Sequence, residues 1–248
     1  MIRMLISRQL RIRYRQTVLG VLWALLQPLM LMAMFSLLFM RVPRIGADNA
    51  HYTMFLLAGL VPWLFFSRSF GDGSSCLISE RSLIQKVYFP RLIVPIVIVL
   101  VGIIDLVIPL SLLLLLVLIF SSDTLTANIF YMPLFLILET VFIAGVVLWF
   151  SMLCVRFRDV KMLVPTVTMM LMFSSPVFFQ LDFVGPRVKD ILLLNPLATV
   201  IEGVRWSLYD TDFTLNHSVY ASIFIAVILF VSGLVYFIRT EDNIDDYY

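Results

Sequence analysis

Six stretches of the chain, Val18 to Met40, Tyr52 to Phe70, Leu92 to Phe120, Ile129 to Val155, Met162 to Leu181 and Ser218 to Ile238, stay apolar over the length a membrane crossing requires, roughly 17 to 25 residues. The third is longer than a bilayer needs and carries Pro95 and Pro109. A kink or tilt is expected there, with the freed carbonyls satisfied by neighbouring helices. Residues 1–17 follow a different period. On a helical wheel Ile2, Leu5, Ile6, Leu10 and Ile12 share one arc and Arg3, Arg8, Arg11 and Arg15 the opposite one, with Arg13 breaking the pattern. That pattern predicts an amphipathic helix in the cytoplasmic interface; the alternative is a basic anchor with no other role.

Two connections carry patterns of their own. After Gly71, Asp72, Gly73, Ser74 and Ser75 come Leu77, Ile78, Glu80, Arg81, Leu83, Ile84, Gln85, Lys86 and Val87, closed by Tyr88, Phe89 and Pro90. Small polar residues start helices and proline stops them, so one helix of about three turns is expected over 74–87. Its apolar members Leu77, Ile84 and Val87 have no core of their own to enter, which makes the helix a docking surface for a soluble partner or a connector packed back on the bundle. Between Asp182 and Leu215, the apolar positions Leu197, Val200, Ile201, Val204 and Leu208 repeat at helical spacing, with Glu202 and Arg205 on another face. That helix is too short to span. With the preceding Asn195-Pro196 turn it predicts a re-entrant or interfacial hairpin, and a helix lying flat on the surface remains open.

Composition turns the six stretches into an integral membrane protein. The chain has 248 residues, is 61% hydrophobic and 14% charged, and has a mean hydropathy of +1.01, beyond the range of soluble globules. A net charge of +2 advertises no nucleic acid, so the charges matter by position. Six crossings put both termini on one side. Arg3, Arg8, Arg11, Arg13, Arg15, Arg68, Arg81, Lys86, Arg91, Arg156, Arg158, Lys161 and Arg239 collect there, against Arg41, Arg44, Arg187, Lys189 and Arg205 on the other. The positive-inside rule makes the first side cytoplasmic. Cys76 and Cys154 then face a reducing compartment and stay free thiols.

The missing chemistry is equally informative. No glycine is followed by lysine, so the phosphate-cradling loop of ATPases is absent. Two histidines and two cysteines without ligand spacing predict no metal site, and there is no G-x-S-x-G or H-E-x-x-H. Among acidic residues, Asp105 and Glu139 lie deep in apolar segments; each reads as a satisfied interhelical contact or as part of a transport path. Trp23, Phe35, Phe39, Trp63, Phe65, Phe66, Phe173, Phe178 and Phe179 supply packing, interface anchoring or, on the second reading, faces for sugar rings.

One set of segments resembles a known family. Leu10 to Pro28 (LRIRYRQTVLGVLWALLQP), Leu57 to Trp63 (LAGLVPW) with Phe65-Phe66-Ser67, Leu83 to Arg91 (LIQKVYFPR), Arg156 to Val160 (RFRDV), Ser174 to Val177 (SSPV) and Asn195-Pro196-Leu197 are similar, in order, to ABC exporter permeases for O-antigen, capsule and teichoic acid. The resemblance implies an all-α, polytopic fold of six transmembrane helices, with an interfacial N-terminal helix (1–17), a permease domain (18–248), a coupling helix (74–87) and periplasmic re-entrant gate helices (182–215). It implies a homodimer in the bacterial inner membrane, paired with two copies of a separate ATPase that binds ATP and Mg; no cofactor belongs to this chain. Leu77, Glu80, Arg81, Leu83, Ile84, Gln85, Lys86, Val87 and Tyr88 would contact that ATPase. Trp23, Phe35, Phe39, Trp63, Phe66, Phe173, Phe178 and Phe179 would line a sugar channel. Arg13, Arg15 and Arg91 would meet the diphosphate of an undecaprenyl-linked polysaccharide at the cytoplasmic entrance. A secondary transporter would need internal repeats and more ionisable groups at depth, and an intramembrane enzyme a catalytic constellation.

Overall fold

The computed structural model describes residues 2–15, 22–39, 49–86, 89–120, 126–209, 211 and 213–241. All regular structure among them is helical: α1 (Ile2–Arg15), α2 (Leu22–Phe39), α3 (Asn49–Ser74), α4 (Cys76–Ser79), α5 (Arg81–Lys86), α6 (Ile93–Phe120), α7 (Met132–Arg156), α8 (Arg158–Phe173), α9 (Pro186–Leu192), α10 (Pro196–Tyr209) and α11 (His217–Thr240), with short 3₁₀ turns at Ala127–Tyr131 and Leu181–Phe183. Four helical stretches, Tyr52–Ser74, Ile93–Phe120, Ala127–Arg156 and His217–Thr240, are long and apolar enough to cross a membrane. A fifth is reached if α9 and α10, bent by 107° at their break, count as one. Apolar α2 is shorter, its apolar helix running over Leu22–Leu38.

Burial sorts these helices. α3 packs on α2, α6, α7, α8 and α10, and 83% of its apolar window is buried, against 28% for α6 and 22% for α11. The outer faces of α6 and α11, with Leu115, Leu118, Phe224 and Val231 exposed, are therefore the lipid-compatible surface. Close helix approach in a bilayer favours small residues, because backbones must come near enough for van der Waals contact. α7 and α11 meet this way: a Cβ on Gly145 would lie 2.6 Å from the Phe230 nitrogen, and one on Gly233 would lie 2.7 Å from the Gly145 carbonyl oxygen. Trp149 then stacks on Tyr236 at 4.3 Å and donates to the Ser232 hydroxyl at 3.1 Å.

Three expectations change. The apolar stretch from Met162 to Leu181 is not one helix, because α8 ends at Phe173 and residues 174–180 turn. Pro176 has no N–H to continue the ladder and disfavours helical dihedrals at Ser175. The 74–87 segment is not one helix either. α3 runs straight through Gly71-Asp72-Gly73, and the chain then breaks at Ser75 and Glu80 into α4 and α5. Gly73 is there for packing, since a Cβ would lie 2.6 Å from the Val147 side chain of α7. Thirdly, Leu77 and Ile84 do enter a core. They pack with Cys76, Phe89, Val94, Ile98, Leu148, Met152 and Phe237, contributed by α4, α6, α7 and α11 and by the chain leading into α6. Residues 87 and 88 of this segment lie outside the described residues.

Candidate functional site

At the end of the bundle where α3 finishes, charge organises the surface. α1 lies along α6, with Leu5 buried against Val97 and Val101; Ile2 and Ile12 of its apolar arc stay exposed. Arg8 and Gln9 each donate at 2.7 Å to the Glu80 carboxylate, at the junction of α4 and α5. Further along α1, Arg13 bridges Asp72 near the end of α3 and the buried Asp105 of α6. Asp105 is thus a satisfied interhelical contact, one of the two readings of a deep carboxylate. Arg13 itself is held by two carboxylates, while Arg91 donates at 2.6 Å to the Glu241 carbonyl. The structure does not gather Arg13 and Arg91 on one partner, and the Arg15 side chain lies outside the described residues. On α4 and α5 the face left open consists of Ser79, Arg81, Ser82 and Gln85, with Leu83 half-buried; the Lys86 side chain lies outside the described residues. Cys76, beneath that face, is buried, and burial pushes its thiol well above the usual range.

The aromatic residues divide into two groups. Trp23 and Phe173 are exposed, at 47% and 62%. Phe35 and Phe178 meet with ring centroids 4.0 Å apart, and Tyr52 donates to the Phe178 carbonyl at 3.2 Å; Phe179 is half-buried beside them in sequence. Trp63 and Phe66, like Phe178, are buried inside the subunit. Phe66 is completely buried, stacked on Phe70 and Phe142 at 5.5 and 5.6 Å, so within one chain it is a packing residue. The Phe39 side chain lies outside the described residues.

The opposite end of the bundle holds the group that charge counting missed. Arg205 of α10, counted with the outer-side charges and expected on the polar face of that helix, is 0% exposed. Its guanidinium donates to the carbonyls of Pro176 (2.6 Å), Val177 (2.9 Å) and Phe55 (3.4 Å) and pairs with Glu202 at 2.8 Å. It lies over the Phe55 ring, 3.4 Å from the centroid. The turn after α8 frees carbonyls that water cannot reach, and a planar fork of five donors satisfies several at once. Gly59 leaves the space, because a Cβ there would lie 2.7 Å from Nη2. The sequence did contain a signal, an arginine one turn from Glu202 on an otherwise apolar helix. Glu139 of α7 contrasts with it. It is fully buried, and neither carboxyl oxygen makes a hydrogen bond among the described residues. Those residues hold no cluster of three or more His, Cys, Asp or Glu fit for a metal ion.

Residues 1–209 match a family model for ABC-2 type transporters. The chain belongs to the ABC-2 type transporter family. It is a multi-pass transporter permease subunit and not itself an enzyme, and its family implies an ABC ATPase partner. An O-antigen export system permease protein RfbA of Klebsiella pneumoniae is 29% identical over 233 residues, covering 93% of this chain and 88% of the relative. One of the same description from Myxococcus xanthus is 29% identical, covering 83% and 79%. Polysialic acid transport protein KpsM of Escherichia coli is 27% identical, covering 96% and 92%.

Proposed function

We propose that this chain is the membrane half of an ATP-driven exporter that carries a lipid-linked polysaccharide, such as an O-antigen precursor on undecaprenyl diphosphate, across the bacterial inner membrane. The observation that carries this reading is the near full-length similarity to O-antigen export permeases. In this reading two copies of the chain pair with two ATPase subunits, and both termini are cytoplasmic. α2, α3, α6, α7, α8 and α11 each cross. α2, with 18 residues, and α8, with 16, would be about 27 and 24 Å long, close to the hydrocarbon thickness of about 30 Å.

The open face of α4 and α5, namely Ser79, Arg81, Ser82 and Gln85, is where the ATPase docks. Movement there passes into α1 through Glu80, Arg8 and Gln9, and into α6 through Arg13 and Asp105. Trp23 and Phe173, exposed on a lone subunit, are the aromatics best placed to line a path between two copies. Arg13 and Arg91 stand near the cytoplasmic end as contacts for the lipid diphosphate, Arg13 by exchanging a carboxylate for a phosphate. α9 and α10 form the gate on the far side.

The test is deletion of the gene in its host, with complementation by native chain or by Arg81→Glu/Gln85→Glu. Loss of surface polysaccharide with lipid-linked polymer trapped inside, rescued by the native chain alone, is the expected result. Co-purification with the ATPase should be lost in the double variant while the permease stays folded. Normal surface polysaccharide after deletion overturns the reading. Loss of a polysialic acid polymer in place of O-antigen redirects it to the polymer named for the KpsM relative.

A further inference from the structure

Beside the Arg205 clamp lies a cavity of about 130 Å³, room for several waters or for one sugar ring. It opens between α3, the turn after α8, α9, α10 and the chain leading into α11. Its polar wall comes from Gln180, Lys189, Glu202, Thr211 and Asn216. Thr211 Oγ1 and Asn216 Oδ1 are buried and accept or donate no hydrogen bond among the described residues. Buried polar atoms are nearly always paired, so atoms facing a cavity in this state call for an occupant that can hydrogen-bond. Its apolar lining is Leu181 and Leu193 with two aromatic rings, Phe55 and Phe213. Both rings are fixed, Phe213 by Phe135 and Trp206 at 5.6 and 5.8 Å and Phe55 by Arg205. A rigid site costs less to fill.

The chemistry of the wall selects the occupant. An acyl chain would leave Thr211 Oγ1 and Asn216 Oδ1 buried without a partner. A phosphate would meet the Glu202 carboxylate. A compact molecule with many hydroxyls uses amide, hydroxyl, ammonium and carboxylate groups together and lays its C–H face on an aromatic ring. We propose that this cavity is a binding site for a single sugar unit, at the end of the bundle opposite α4 and α5. The inference rests on the polysaccharide reading above for its source of ligand. Glu202 and Phe55 both touch Arg205, so a bound sugar bears directly on the clamp that ties α10 to α3 and to the turn after α8.

The test uses the full chain in lipid nanodiscs with Thr214→Cys, an exposed position on the cavity rim. Cys76 and Cys154 are buried, so a maleimide reports on position 214. The probes are the individual monosaccharides released by hydrolysis of the host's own surface polysaccharide. The expected result is that at least one slows labelling saturably, with an affinity on the order of millimolar. Adding Asn216→Leu or Lys189→Met should weaken that protection about tenfold, the loss of one hydrogen bond. Retained protection of the two native thiols confirms that each variant is folded. If no component sugar slows labelling of folded protein, the cavity holds water only and the proposal falls. It falls too if both variants protect as well as the parent. Sugar binding with normal surface polysaccharide in the deletion strain would keep this site and discard the export reading; the reverse pattern would keep export and discard the site.

Discussion

A guanidinium with no water around it needs its donors used, and both terminal nitrogens of Arg205 are, through three carbonyls and a carboxylate, with a ring beneath, while Nε makes no hydrogen bond among the described residues. Arg205→Met would strand the Glu202 carboxylate and the carbonyls of Pro176 and Val177, at a cost of about 3 to 5 kcal/mol. Arg205→Lys should recover little, because an ammonium cannot reach carbonyls on two segments at once. Thermal unfolding in detergent checks both; a lysine variant as stable as the native chain would contradict the fork geometry. Glu139 makes the opposite case. It loses its hydration and gains no hydrogen bond among the described residues, so Glu139→Leu should leave the melting temperature unchanged or raise it. A clear fall would mean that a group on the other subunit or the substrate holds that carboxyl. Cys76, whose thiolate is disfavoured by burial, should resist N-ethylmaleimide at pH 8 in folded protein and react after denaturation.

Helix pairs are held by different means according to where they meet. α7 and α11 approach so closely at Gly145 and Gly233 that any side chain would strike backbone. Backbone cannot step aside as a flexible side chain can, so Gly145→Leu should separate the pair and abolish monodisperse purification, whereas Gly71→Ala, where a Cβ meets nothing within 4 Å, should be neutral. α1 has few buried apolar residues and is fastened by ion pairs. Removing Glu80 deletes the acceptor of both Arg8 and Gln9. Glu80→Ala should therefore speed proteolytic cutting of residues 1–15 severalfold with a small fall in the global melting temperature, since Glu80 is buried but Arg8 is solvent-exposed and an ion pair open to solvent on one side contributes about 1 kcal/mol. Unchanged cutting would show that Leu5, Leu10 and the Arg13 ion pairs suffice to seat the helix.

Across the whole molecule, membrane character and family were legible from the order of apolar stretches and from short motifs, because lipid demands long apolar helices whatever their partners. Tyr52 to Phe70, Leu92 to Phe120, Ile129 to Val155 and Ser218 to Ile238 each correspond to one long helix for that reason. The 74–87 segment reads as one helix in the sequence because Gly73 and Ser74 look the same whether they begin a helix or let α3 press against α7. Leu77 and Ile84 likewise carry no mark distinguishing a docking face from a core. The sequence by itself determined which segments prefer lipid, where positive charge accumulates, and that the phosphate-cradling loop of ATPases is absent from this chain. Tertiary structure alone decided that Asp105 is paired while Glu139 is not, that Arg205 is a buried clamp, and that five polar groups from four distant segments enclose one cavity. Hydropathy is a property of each residue and can be read in order along the chain. Pairing and enclosure are properties of residues far apart in sequence, and they exist only once the helices have packed.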